Sequence, residues 1–81
     1  MPNEALYPTL SSRLFEHAVQ AHARGDLQMR DSLCFWVYML DEPALTRDTV
    51  EKYIGGLRRS GNESSDRVAD IIRAALTEIL A

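Results

Sequence analysis

Long apolar runs are what this chain of 81 residues has least of. The longest, Leu33-Cys34-Phe35-Trp36-Val37-Tyr38-Met39-Leu40, is far short of the roughly 20 apolar residues that a helix needs to cross a bilayer. Cysteine occurs once, as Cys34, so no intramolecular disulfide can form, and a reducing compartment is expected. The start Met1-Pro2-Asn3-Glu4 lacks the basic opening and apolar core of a secretory leader. Together these features predict a soluble, cytoplasmic protein with no membrane partner.

Positive charge is not in surplus. Nine Lys and Arg face 12 Asp and Glu, for a net charge of −3 and a pI near 5.2. That balance argues against a protein whose affinity comes from neutralising phosphates, and against adsorption to anionic lipid. The four glycines form no phosphate-cradling pattern. His17 and His22 lie about 140° apart around a helix, the wrong angle for shared metal ligation. Cys34 sits inside the apolar octet, where a thiol is expected to be an inert core or interface residue. The adjacent Asp41 and Glu42, and the pair Asp66 and Asp70, read as solvated carboxylates, since no apolar pocket accompanies them. No catalytic residue, cofactor, metal or small-molecule substrate is predicted, and the chain is expected not to be an enzyme.

What is present is helical periodicity throughout. The expected fold class is all-α: a compact bundle of about four helices in a single domain, 1–81, behind a short extended N-terminal arm. The helices are expected at about 9–24, 27–41, 46–59 and 64–80. In the first, Leu10, Leu14, Ala18 and Ala21 recur at helical spacing, with Phe15 and Val19 widening the stripe. Pro8 suits its first turn, and Gly25 suits its left-handed close. Asp26 and Thr46 are the expected N-caps of the second and third helices, and Leu45 with Val50 has the spacing of a hydrophobic staple.

The second helix is expected to bury Met29, Leu33, Trp36, Val37 and Leu40. Cys34, Phe35 and Tyr38 fall outside that face, making the helix apolar nearly all round. Such a helix is expected to lie at the centre of the bundle or to be covered on a second side. The third helix should bury Val50, Tyr53, Ile54 and Leu57. Gly55-Gly56 within it predicts either local weakening or the close approach of another backbone. The fourth, starting near Ser64 or Ser65, carries the cleanest stripe: Val68, Ile71, Ile72, Ala75, Leu76 and Ile79.

From Leu33 to Leu57, a helix, a short turn and Leu45-Thr46-Arg47-Asp48-Thr49-Val50-Glu51-Lys52-Tyr53-Ile54 resemble a helix-turn-helix. The resemblance covers about a third of the chain and implies DNA reading by residues 46–59. Arg47, Asp48 and Thr49 would then face base edges, with Val50 and Ile54 inward. Arg47, Thr49, Lys52, Arg58 and Arg59 are the DNA-contact candidates of this alternative. Pro43 stands where that family often has glycine, and Asp41 and Glu42 place negative charge near phosphates. The turn Ala23-Arg24-Gly25-Asp26 between two helices, with Pro43 beyond, is also similar to a single tetratricopeptide-type hairpin. One hairpin is not an array, and it carries no function here.

The remaining feature is surplus apolar surface. Tyr7, Phe35, Tyr38 and Met39, with Leu6, exceed what three small neighbouring helices need to cover. Aromatic residues and Met are characteristic of interface centres. The sequence therefore predicts a non-catalytic interaction protein, in the manner of small bacterial or mobile-element inhibitors, adaptors or immunity proteins. Its partner would be another protein or a second copy, with nucleic acid as the alternative.

Overall fold

The computed structural model describes residues 6–80. Four helices make up the molecule: α1 (Thr9–Ala23), α2 (Leu27–Leu40), α3 (Arg47–Arg59) and α4 (Glu63–Leu80), with no strand among the described residues. The sequence predicted each within two residues of its observed ends. No described helix is long and apolar enough to cross a membrane.

The joints explain that agreement. Gly25 adopts φ +80°, and two backbone bonds close α1: Gly25 N–H to the His22 carbonyl at 3.0 Å and Asp26 N–H to the Ala21 carbonyl at 2.9 Å. This pair of bonds is the Schellman arrangement. Asp26 then caps α2, its carboxylate accepting from the Met29 N–H at 3.2 Å. The Thr46 hydroxyl caps α3 through the Thr49 N–H at 3.2 Å, and the staple residues Leu45 and Val50 are both buried. The Asn62 side chain accepts from the Ser65 N–H at 2.8 Å, so α4 begins at Glu63, ahead of the Ser64 or Ser65 start expected from the sequence.

At the N-terminal end, the Leu10 N–H bonds the Leu6 carbonyl at 2.8 Å and the Ser12 N–H bonds the Pro8 carbonyl at 3.1 Å. Leu6–Pro8 therefore coils directly into α1 and is not extended, and Pro8 precedes the helix rather than opening it. The rest of the expected extended arm, residues 1–5, lies outside the described residues.

The buried cluster draws Leu10, Leu14, Ala18 and Ala21 from α1 and Val68, Ala69, Ile72, Ala75 and Leu76 from α4. Leu6, Leu45, three residues of α2 (Met29, Leu33, Leu40) and two of α3 (Val50, Ile54) complete it. α1 packs against both α2 and α4, and α4 packs against α1, α2 and α3. α2 packs chiefly on α1, touches α4, and reaches α3 through Trp36 on Tyr53. The expectation that a second side of α2 is covered is corrected: Cys34, Phe35 and Tyr38 are exposed there. Hydrophobic periodicity shows that a face is apolar but not which neighbour lies over it.

Ion pairs align the two hairpins. Arg58 donates to Asp70 at 2.9 Å, and Arg73 grips Glu51 with two guanidinium nitrogens, both across α3 and α4. Arg13 and His17 of α1 approach Glu78 at 3.5 and 3.6 Å. Such exposed pairs each contribute little, about 0–1 kcal/mol. The glycine pair neither breaks α3 nor admits another backbone. A Cβ on Gly56 would meet nothing nearer than the Arg59 guanidinium at 4.0 Å.

Substitution at the joints and at the Glu51–Arg73 pair tests them. Gly56→Ala should raise the unfolding free energy by about 0.5–1 kcal/mol. Gly25→Ala should lower it by about 1–2 kcal/mol, because an L residue is strained at positive φ; urea titration distinguishes the two signs. The Glu51 carboxyl is held below its ordinary 4.5, chiefly by the hydrogen bonds from Arg73 and despite partial desolvation. The charged form is the one favoured by folding. Its stabilisation is therefore complete above pH 4.5 and is lost as pH falls through the depressed folded value. Thermal melts should show a shallower acid loss below pH 4.5 for Glu51→Gln than for the parent.

Candidate functional site

The α1–α2 hairpin leaves a seam open to solvent. On α1 the wall is Ser12, Phe15, Val19 and His22, and on α2 it is Arg30, Cys34, Val37 and Asp41. Both rows have helical spacing, so each forms one continuous edge. The short, closed turn makes the helices antiparallel. One groove of about 210 Å³ is lined by Phe15, Ala18, Val19, His22, Arg30 and Cys34. A second depression continues it past Phe15 to Val37, Pro8 and Asp41. At one end the Arg30 guanidinium meets His22 Nδ1 at 2.9 Å and also contacts Asp31 at 2.8 Å. At the other end the Asp41 and Glu42 carboxylates are exposed.

The walls of the seam and the outward side of α2 carry uncovered apolar side chains. Phe15 is 52%, Val19 51% and Leu27 48% exposed, while Phe35 is 55% and Tyr38 79%. Cys34 is exposed beside them, so it is not a core residue, the first of the two places expected for it. Of the interface candidates named from the sequence, Phe35 and Tyr38 stand open, Met39 is half-buried, and Tyr7 lies at the edge of exposure beside the buried Leu6. Phe35 packs edge-on against Trp36, with ring centroids 5.4 Å apart, and Trp36 tilts onto Tyr53 of α3 at 5.2 Å. The aromatic surface therefore continues around α2 to a shallow depression beside Tyr53, Gly56 and Leu57.

Sequence reasoning missed Phe15, Val19 and Leu27. It gave Phe15 and Val19 to the buried stripe of α1, and that is corrected here. The signal was available in the angle: Phe15 lies about 140° and Val19 about 180° around the helix from Leu10. One stripe that wide is more than α2 and α4 together cover. A buried Ser11 fills the remaining edge of the stripe, its hydroxyl donating to the Pro8 carbonyl at 3.1 Å.

The DNA-contact candidates lie on α3, elsewhere on the molecule. Arg47, Lys52 and Arg59 are exposed. Arg58 is exposed but held by Asp70, and the Thr49 hydroxyl is engaged with Thr46 at 3.0 Å. Val50 and Ile54 point inward, as the helix-turn-helix resemblance implied. His17 faces Glu78 of α4 while His22 faces Arg30 of α2, so the two histidines diverge.

No protein family, curated protein or solved structure matches the chain.

An exposed side chain that packs on nothing can be changed without unfolding the protein. Tyr38→Ser is expected to alter unfolding free energy by less than about 0.5 kcal/mol. Leu33→Ala, one helical turn away but fully buried, should cost about 2–5 kcal/mol. Denaturant midpoints of the two variants check this contrast.

Proposed function

We propose that the protein is a small, non-catalytic, cytosolic interaction protein that binds a protein partner through the open face of the α1–α2 hairpin. One observation carries the reading: α2 has two apolar faces and the fold covers only one. Five side chains about half exposed or more, Phe15 and Val19 on α1 and Leu27, Phe35 and Tyr38 on α2, are spread over the seam's wall and the outward side of α2. At 150–250 Å² for a fully exposed aromatic residue, they leave on the order of 400 Å² of apolar surface. A patch of that size on a small monomer is commonly functional. Covering it is worth roughly 10 kcal/mol gross, comparable with the roughly 4–15 kcal/mol that association costs. Modest affinity, of the regulatory rather than the permanent kind, is the consequence.

The groove itself supports a protein rather than a small-molecule occupant. Both of its depressions, about 210 and 300 Å³, are shallow and open to solvent, whereas pockets that hold small molecules bury most of the ligand's surface. The groups whose protonation the fold biases, Glu51 and Arg73, do not line it.

The second reading, DNA binding by residues 46–59, rests on the exposed Arg47, Lys52 and Arg59 and on the inward Val50 and Ile54. Salt-dependent retention on DNA, lost in Lys52→Ala, would support it.

The leading reading is tested with the tagged protein as bait in lysate of its source. A protein retained by the parent should be lost with Val19→Glu and with Tyr38→Glu, both of which should keep the parental melting temperature. Retention unchanged by both substitutions would overturn the proposal.

A further inference from the structure

We infer that the acidic end of the seam is a socket for a basic side chain of the protein partner, arginine by preference, carried on an apolar segment. The inference rests on the reading of the α1–α2 face as a protein-docking surface and adds the chemistry of what docks there. It starts from the charges that the fold leaves uncompensated. At the hinge end of the seam Arg30 is already engaged, with the Asp31 carboxylate at 2.8 Å and with His22 at 2.9 Å. On α1, Arg13 is shared between Glu16 and Glu78. Among the described residues, the carboxylates with neither an ion pair nor a side-chain hydrogen bond are Asp41, Glu42, Asp48, Glu63 and Asp66. The last three stand where a helix favours them, Asp48 in the first turn of α3 and Glu63 and Asp66 in that of α4, at the positive end of the macrodipole. Asp41 and Glu42 are at the opposite pole. Asp41 is the C-cap of α2, Glu42 follows it, and the last turn of α2 holds no basic residue. Two exposed carboxylates thus sit on the negative end of a helix, an arrangement that costs the folded chain and that a cation relieves. A local rule broken with no compensation inside the molecule is characteristic of functional sites.

Asp41 also lines the depression of about 300 Å³ whose other walls are Pro8, Ser11, Ser12, Phe15 and Val37. Those walls suit a long cationic side chain. Its aliphatic stem lies along Pro8 and Val37 while its head group reaches the carboxylate. Phe15, half exposed at the rim, offers a ring on which a guanidinium stacks. The planar fork of arginine also matches a carboxylate in two hydrogen bonds, which a lysine ammonium does not. Apolar neighbours of that arginine on the partner then meet Phe15 and Val19, which are uncovered along the same wall.

Titration of the isotope-labelled full chain with a synthetic amphipathic peptide of leucine and arginine tests this, with the same peptide carrying glutamate for arginine as its control. The arginine peptide should shift the amide resonances of Ser12, Phe15, Val37 and Asp41, and its affinity should fall as salt is added. Asp41→Asn combined with Glu42→Gln should weaken binding about tenfold. Glu63→Gln, the same kind of charge loss at the start of α4, should leave it within about twofold of the parent. Circular dichroism confirms that each variant is folded. Shifts confined to other residues, equal binding of the glutamate peptide, or an affinity indifferent to the Asp41 and Glu42 changes would overturn the socket. Shifts of the same amides with protein concentration alone would assign the depression to a second copy and overturn it too. The docking reading is judged apart from this, by capture that depends on Val19 and Tyr38. A captured protein whose retention is unaffected by Asp41→Asn with Glu42→Gln removes the basic side chain and leaves the face in place.

Discussion

The whole molecule depends on the stripe of α1 being closed from two sides at once, by α2 and by α4. Leu10 and Leu14 supply bulk at one end, while Ala18 and Ala21 let neighbouring helices approach closely at the other. Ala69 and Ala75 do the same on α4. Interaxial distance follows the size of the side chains at the contact, so these alanines set how tightly the middle of the bundle packs. Everything peripheral is hung on that pair. α3 is attached mainly to α4, and α2 mainly to α1.

α2 has an inner helix's composition, yet only one of its sides is covered. Met29, Leu33 and Leu40 satisfy the core, and the opposite side keeps Phe35 and Tyr38 in water. A short chain has few elements with which to cover a second apolar face, since small domains bury a smaller fraction of their surface. Leu6 is the one residue of the described lead-in that is buried, and it joins the common core rather than shielding Tyr38.

The local decisions were legible in the sequence because each depends on residues within one turn of one another. Gly25 and Asp26 state the end of one helix and the start of the next, and Thr46 with Leu45 and Val50 states the start of the third. The Asn62 cap was not picked out, because the serines after it are equally good caps and compete for the start. Placement between helices was not legible. Nothing in the pattern of residues 33–40 says whether the second face meets another helix or solvent, and nothing in α1 alone assigns Phe15 to one or the other.

Asp26 has a further significance. Its backbone N–H returns to the Ala21 carbonyl, its carbonyl accepts from Arg30, and its carboxylate accepts from Met29 and lies 3.5 Å from Arg67 of α4. One residue thus fastens two helices to each other and to a third. The join between the first two is fixed there, while the small side chains at their contact, Ala18 among them, set how closely they run. Exposed members of the lining, Phe15 and Val19, are therefore replaceable without touching the residue that joins the two helices.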